Sequence, residues 1–231
     1  MSAATRLDGV RACVFDAYGT LFDFASAAAR CDDIPPEKRV ALTALWRDKQ
    51  LQYTWLRTLQ GRYADFWAVT GDALDFALDS LDLATPQRRG RLMELYRELE
   101  PFAEVSAMLE TLRERGMKTA ILTNGSPDML GALVHRSGLA SRFDAVLSVD
   151  AVGVYKTHPA VYQHALNLLE LPAPAIVFVS SNGWDAYAAS DFGMRVVWCN
   201  RYGQKPERLP GAPDFVITTL VDLPGLVPEP A

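Results

Sequence analysis

The first run of apolar positions covers residues 10–16, Val10-Arg11-Ala12-Cys13-Val14-Phe15-Asp16. It is short, β-branched and aromatic, and it predicts a strand. A loop with one glycine follows, Ala17-Tyr18-Gly19-Thr20. The texture then changes. Over residues 37–100 the apolar positions, among them Leu42, Leu45, Trp46, Tyr53 and Leu56, recur at helical spacing. Pro35-Pro36 opens this region and Pro101 closes it. From residue 102 the two periods alternate. Helices are predicted over 104–115, 127–136, 159–169 and 185–192, and strands over 118–122, 145–149, 175–179, 195–199 and 215–217. Such alternation builds βα units around a parallel sheet. The charge-free run Ile176-Val177-Phe178-Val179 suits a strand covered on both faces. The predicted fold is therefore α/β: a doubly wound parallel sheet from residues 1–22 and 101–231, interrupted by a helical subdomain over 23–100. The proline-rich end, 223–231, is expected to be a loosely held tail.

Composition narrows the classes of function. The chain has 231 residues, 49% hydrophobic and 22% charged, enough to bury a core without staples. Lys plus Arg is 23 against 28 Asp plus Glu, a net charge of −5, so nucleic acid is not an expected partner. No uncharged apolar run is long enough to span a bilayer, and Arg6, Asp8 and Arg11 do not read as a signal peptide. Cys13, Cys31 and Cys199 are odd in number and form no CxxC pair. The expectation is three buried free thiols in a reducing, cytoplasmic setting.

Open parallel sheets bind ligands beyond the carboxyl ends of their strands. The residues expected at that rim are Asp16, Tyr18 and Thr20; Thr123, Asn124 and Ser126; Lys156; and Ser180, Ser181, Asn182 and Asp185. By position alone Asp16 is either a loop-capping aspartate or a functional one, because a buried charge needs a partner. Lys156 alone reads as a surface lysine. Asn124-Gly125-Ser126-Pro127 is either a plain β-to-α turn or an anion-holding helix start. Asp185 reads as a helix N-cap or as part of a site. Neither GxGxxG nor GxxxxGK[ST] occurs, and Gly125-Ser126-Pro127 lacks the second glycine of a nucleophile elbow. His135, His158 and His164 lack zinc-ligand spacing.

Taken together these segments carry a resemblance. Phe15-Asp16-Ala17-Tyr18-Gly19-Thr20-Leu21-Phe22 resembles the first motif of the haloacid dehalogenase superfamily. Thr123-Asn124-Gly125 resembles its second motif, Lys156 its third and residues 180–185 its fourth. The helical insertion also matches. Leu45-Trp46-Arg47-Asp48-Lys49-Gln50-Leu51-Gln52-Tyr53-Thr54-Trp55-Leu56-Arg57 is similar to the helix of L-2-haloacid dehalogenases that carries a halide-binding arginine, and Arg62-Tyr63-Ala64-Asp65-Phe66 is similar to the segment after it.

The resemblance implies a HAD-like Rossmannoid core with a helical cap. It also implies a two-step hydrolysis of L-2-haloacids without metal or other cofactor. Asp16 would be the nucleophile. Lys156 would keep it ionised, and Asp185 would orient Lys156 and help activate water, with Thr20, Ser180 and Asn182 in support. Thr123, Asn124 and the backbone beside Tyr18 would hold the substrate carboxylate, with Tyr162 near the lysine. Tyr18, Leu51, Phe66 and Trp184 would wall off the C2 substituent. Arg47, Asn124 and Trp184 would receive the halide. Superfamily phosphatases carry a second aspartate where Tyr18 stands and a metal-binding aspartate where Ser181 stands. Their absence argues against a magnesium phosphatase. A hydrolase of fluoroacetate or of a strained cyclic amino acid is the nearer alternative, and a non-catalytic scaffold a more distant one.

Three positions depart from the pattern: Asp48, where glutamine is common; Thr157, where proline is usual; and Thr123, where serine is common. The aromatic residues of the insertion (Trp46, Tyr53, Trp55, Tyr63, Phe66 and Trp67) are expected mostly to pack within it. Related dehalogenases are homodimers, so the resemblance implies a dimer.

Overall fold

The computed structural model describes residues 6–229. Six parallel strands form one sheet: β1 (Ala12–Phe15), β2 (Lys118–Thr123), β3 (Ala145–Ser148), β4 (Ile176–Ser180), β5 (Arg195–Cys199) and β6 (Phe215–Ile217). Their order across the sheet is β3-β2-β1-β4-β5-β6. The order reverses between β1 and β4, and in open parallel sheets the position beyond the carboxyl ends at such a reversal is where ligands bind. Asp16 follows β1, and Ser180 ends β4. The two strands are in register over Ala12↔Ile176 to Phe15↔Val179 and are buried along their whole length, as an interior sheet requires.

Among the described residues eight α-helices join and flank the strands: α1 (Ser26–Ala29), α2 (Pro36–Leu59), α3 (Phe66–Ser80), α4 (Pro86–Tyr96), α5 (Val105–Glu114), α6 (Pro127–Arg136), α7 (Pro159–Leu169) and α8 (Gly183–Phe192). The region of helical spacing over 37–100 is not continuous. It breaks after α2 at Gly61, which adopts φ 62°, and again after α3. Each restart is capped. The Asp65 side chain accepts from the Ala68 N–H at 3.0 Å, and Thr85 accepts from Arg88 at 3.1 Å, with Pro86 at the first helical position. α2 and α3 pack together, and Trp46 Nε1 donates to the Thr70 carbonyl at 2.9 Å across their contact.

Two expectations need correction. Asp185 is not a helix N-cap: α8 begins at Gly183, with Asn182 in the cap position. The chain end is also not loosely held through residue 229. Leu223 and Val227 are fully buried, the Leu7 N–H donates to the Leu226 carbonyl at 2.7 Å, and Arg115 donates to the Pro224 carbonyl at 2.6 Å. Alternation of proline with small residues hid two apolar anchors. Residues 230–231 of that segment lie outside the described residues.

Cys13, Cys31 and Cys199 are free and buried, and burial pushes the Cys13 thiol up to about 12. Among the described residues no helix is long and apolar enough to cross a membrane.

Candidate active site

Beyond the carboxyl ends of β1 and β4 a cation lies between two carboxylates. Asp16 is only 5% exposed and Lys156 1%, and Asp185 is fully buried. Lys156 Nζ donates to Asp16 Oδ1 at 3.0 Å and to Asp185 Oδ2 at 2.7 Å. It also lies 4.9 Å from the centre of the Phe178 ring. Burial opposes the lysine charge, but Asp16 and Asp185 outweigh it and raise the Lys156 pKa above the usual value. Burial pushes the Asp185 carboxyl up to about 6, against the opposing pull of Lys156. Tyr162 donates its hydroxyl to Asp185 Oδ1 at 2.8 Å, and Ser180 Oγ donates to Oδ2 at 3.3 Å.

The two oxygens of Asp16 differ. Oδ1 receives the lysine alone. Oδ2 receives two neutral donors, Thr20 Oγ1 at 3.0 Å and Asn182 Nδ2 at 2.8 Å. Both donors are oriented by other bonds. Thr20 Oγ1 accepts from the Ser181 N–H at 2.8 Å. Asn182 Nδ2 also donates to the Tyr18 carbonyl at 3.2 Å, and its Oδ1 accepts from Arg47 Nη2 at 3.3 Å. Through that amide the helical layer reaches the rim of the sheet.

The second strand supplies Thr123 and Asn124. Asn124 Oδ1 accepts the Lys156 backbone N–H at 3.0 Å, which leaves its Nδ2 as the free donor. Thr123 Oγ1 accepts from the Gly125 N–H at 3.1 Å. Tyr18 is buried, and its ring lies 5.6 Å from those of both Phe66 and Tyr96. Its hydroxyl has no partner among the described residues. A Cβ at position 125 would lie 2.8 Å from that hydroxyl, so the glycine is what permits the close approach. Leu51 and Phe66 are buried on the helical side.

The residues expected to receive the halide come from three different segments. Arg47 bonds Gln50 and Asn182, and Asn124 bonds Lys156. Trp184 is half-buried and meets Trp55 edge-on, 5.5 Å between ring centres. It lines a cavity of about 630 Å³ with Thr157, Pro159, Tyr162, Leu209 and Pro210. Of the departures from the pattern, Asp48 and Thr157 are both exposed.

Gln50, Thr70, Tyr96 and Arg201 belong to the surroundings of the site without standing out in the sequence. Gln50 is 1% exposed and accepts from Arg47 Nη1 at 2.8 Å. Its signal was a polar residue on the buried stripe Leu42, Trp46, Gln50, Thr54 of α2. Arg201, just past β5, donates to the Thr20 carbonyl at 3.1 Å and lies over the Phe102 ring. Nothing in its sequence neighbourhood signalled that contact.

Comparison with known proteins places similar chains in one family. A family model described as haloacid dehalogenase-like hydrolase matches residues 10–193. The chain is 46% identical to an (S)-2-haloacid dehalogenase of Pseudomonas sp. (strain YL), over 93% of each chain. It superimposes on a solved L-2-haloacid dehalogenase with a TM-score of 0.91 and 46% identity, covering 94% of this chain and 98% of that one. It also superimposes on the L-2-haloacid dehalogenase of Xanthobacter autotrophicus with chloropropionic acid covalently bound. There the TM-score is 0.87 at 40% identity, covering 93% of this chain and 97% of that one.

Proposed function

The chain belongs to the haloacid dehalogenase-like hydrolases, and we propose that it hydrolyses short L-2-haloacids to D-2-hydroxyacids and halide through an ester on Asp16. The observation that carries this reading is the unequal dressing of the Asp16 carboxylate: a lysine on Oδ1, two neutral donors on Oδ2. Relatives named (S)-2-haloacid dehalogenases, and one solved with chloropropionic acid covalently bound, support the substrate class and the covalent step.

In the first step Oδ1, which keeps the freer lone pair, attacks C2. The carbon–halogen bond breaks and the halide leaves with the electron pair, inverting C2. Halide is a weak base and needs no proton. It needs a cation and donors, a role we assign to Arg47, Asn124 and Trp184. Thr123, Asn124 and the backbone beside Tyr18 hold the substrate carboxylate. Tyr18, Leu51 and Phe66 exclude water from C2.

In the second step water attacks the ester carbonyl carbon. Oδ2 becomes the oxyanion, and Thr20 Oγ1 and Asn182 Nδ2 already point at it. Asp185 accepts the water proton, with Tyr162 and Ser180 fixing its oxygens. Lys156 stands 3.0 Å from Oδ1, the oxygen that departs with the product, so it can protonate the leaving alkoxide and recover a proton from Asp185. The second proton of the water passes to solvent, which restores the Asp16 carboxylate. The product hydroxyl therefore carries an oxygen that began in Asp16.

This reading predicts a pH dependence. Asp185 must be ionised to take the water proton, and its pKa is raised from 3.8 to about 6. Turnover therefore rises with pH through about 6. A kcat profile flat from mildly acid to mildly alkaline pH would contradict the role. The linked stability effect has the opposite sense. The folded pKa is above the unfolded one, so this contribution is full below 3.8 and lost as pH rises through about 6.

We also propose that no metal takes part. The positions where superfamily phosphatases carry their additional carboxylates hold Tyr18 and Ser181. The two remaining carboxylates are engaged by Lys156. Among the described residues no cluster of three His, Cys, Asp or Glu side chains could hold a metal ion. In the same reading residues 1–22 and 101–231 form the core and 23–100 a cap. Tyr63 supports this by donating from the helical layer to Asp150 of the core, as does Arg47 by reaching Asn182. A cytoplasmic homodimer follows by analogy with the family, and the three free thiols fit a reducing setting.

The test is halide release from L- and D-2-chloropropionate with EDTA present. Release from the L form alone, unaffected by EDTA, is the expected result. Loss of activity with EDTA and its return with magnesium would contradict metal independence. Release of phosphate from p-nitrophenyl phosphate without any halide release would favour the phosphatase reading.

A further inference from the structure

We propose that Gln50 is a positioning residue that aims the Arg47 guanidinium while leaving its charge uncompensated, so that the charge remains available to the departing halide. The inference rests on the dehalogenase reading above and concerns the same site.

A polar residue stands where an apolar one is expected. Gln50 lies on the buried stripe of α2, one turn after Arg47, and is 1% exposed. A buried amide is costly unless each of its polar atoms is bonded, and here each is. Gln50 Nε2 donates to Thr70 Oγ1 at 2.7 Å and to the Tyr96 hydroxyl at 3.1 Å. Gln50 Oε1 accepts from Arg47 Nη1 at 2.8 Å.

The hydrogen-bond order fixes which end of the amide faces the arginine. Thr70 has a single hydroxyl proton, and it goes to the Phe66 carbonyl at 2.6 Å. Thr70 Oγ1 can only accept from Gln50, so the NH2 end must face Thr70. The oxygen therefore faces Arg47. A helix–helix contact between α2 and α3 thus sets the orientation of a group in the active site.

The choice of acceptor matters as much as its place. A guanidinium has five N–H donors. One goes to Gln50 and one to Asn182, and three remain. Both partners are neutral amides. A carboxylate at position 50 would set an anion against the guanidinium and compensate its charge. The chain does carry a carboxylate beside the arginine, Asp48, but that side chain is exposed, and Arg47 bonds Gln50 instead. Arg47 also lies over the Phe24 ring, 5.2 Å from its centre, which holds the guanidinium without neutralising it.

The experiment compares wild type, Gln50→Glu and Gln50→Met on L-2-chloropropionate and L-2-bromopropionate, with chloride binding followed separately by NMR line broadening of the ion. Chloride is the poorer leaving group and depends more on the arginine. Gln50→Glu should lower turnover of the chloro substrate by about 100-fold, the scale of losing one charge-stabilising donor. It should lower turnover of the bromo substrate clearly less, and it should abolish chloride broadening. Gln50→Met keeps the shape and removes the acceptor, so its losses should be smaller but biased the same way. Should Gln50→Glu not fold, the methionine variant still carries the test through the bromo-to-chloro ratio. Equal losses on both substrates, or wild-type chloride broadening in both variants, would overturn the proposal. Wild-type protein that binds chloride but turns over neither substrate would instead count against the dehalogenase reading.

Discussion

Asp16→Asn is expected to reduce halide release from L-2-haloacids by about ten-thousand-fold or more, the scale of removing a covalent nucleophile. The amide is a poor nucleophile, and it is also wrongly dressed. Every neighbour of the carboxylate is a donor: Lys156 at Oδ1, Thr20 and Asn182 at Oδ2. An NH2 group placed at either position faces a donor and must turn a neighbour away. The fold should survive the change, because Lys156 keeps its bond to Asp185. A variant with a near-normal melting temperature and no measurable halide release is the expected outcome. Retention of a tenth of the activity would mean that another group attacks C2.

The second large effect concerns stability as well as turnover. Lys156→Met removes the only cation placed between two buried carboxylates among the described residues. The pair cannot then ionise together in so little water. Breaking a buried charge pair costs about 3–5 kcal/mol. At about 2–4 °C per kcal/mol for a chain of this size, the melting temperature should fall by roughly 10 °C. The loss should ease as pH is lowered, because protonating either carboxyl relieves the repulsion. Turnover should vanish at every pH, since the leaving alkoxide has lost its acid and Asp16 its counter-charge. Melting within a degree or two of wild type would show that the lysine is not the counter-ion of this cluster.

The parts of the site that the sequence made legible are those carried by strands. Asp16, Asn124, Lys156 and Asp185 follow segments whose apolar period is plain, and a parallel sheet brings strand ends to one rim whatever the loops do. The strands at 195–199 and 215–217 and the helices at 127–136 and 159–169 have the expected bounds. What could not be read depends on contacts between elements. Helical spacing over 37–100 says that faces are apolar, but not that Asp65 and Thr85 restart the helix. Asp48 adjoins Arg47 in the chain, yet consecutive helical residues point about 100° apart, and Gln50 a turn later is the true partner. Arg201 is remote in sequence from the Thr20 carbonyl that it holds. The apolar anchors Leu223 and Val227 were masked by the prolines around them.

The central claim is that Asp16 becomes an ester whose carbonyl carbon, not C2, is attacked by water. The most direct measurement is a single turnover of L-2-chloropropionate, with enzyme in excess, in water enriched in heavy oxygen. Mass spectrometry then follows both the hydroxyacid and the peptide containing Asp16. The account predicts heavy oxygen in the Asp16 carboxylate and none in the product, because Oδ1 departs with the product and water replaces it. Heavy oxygen in the product with an unlabelled Asp16 would mean that water displaces the halide directly, and the covalent mechanism would be wrong.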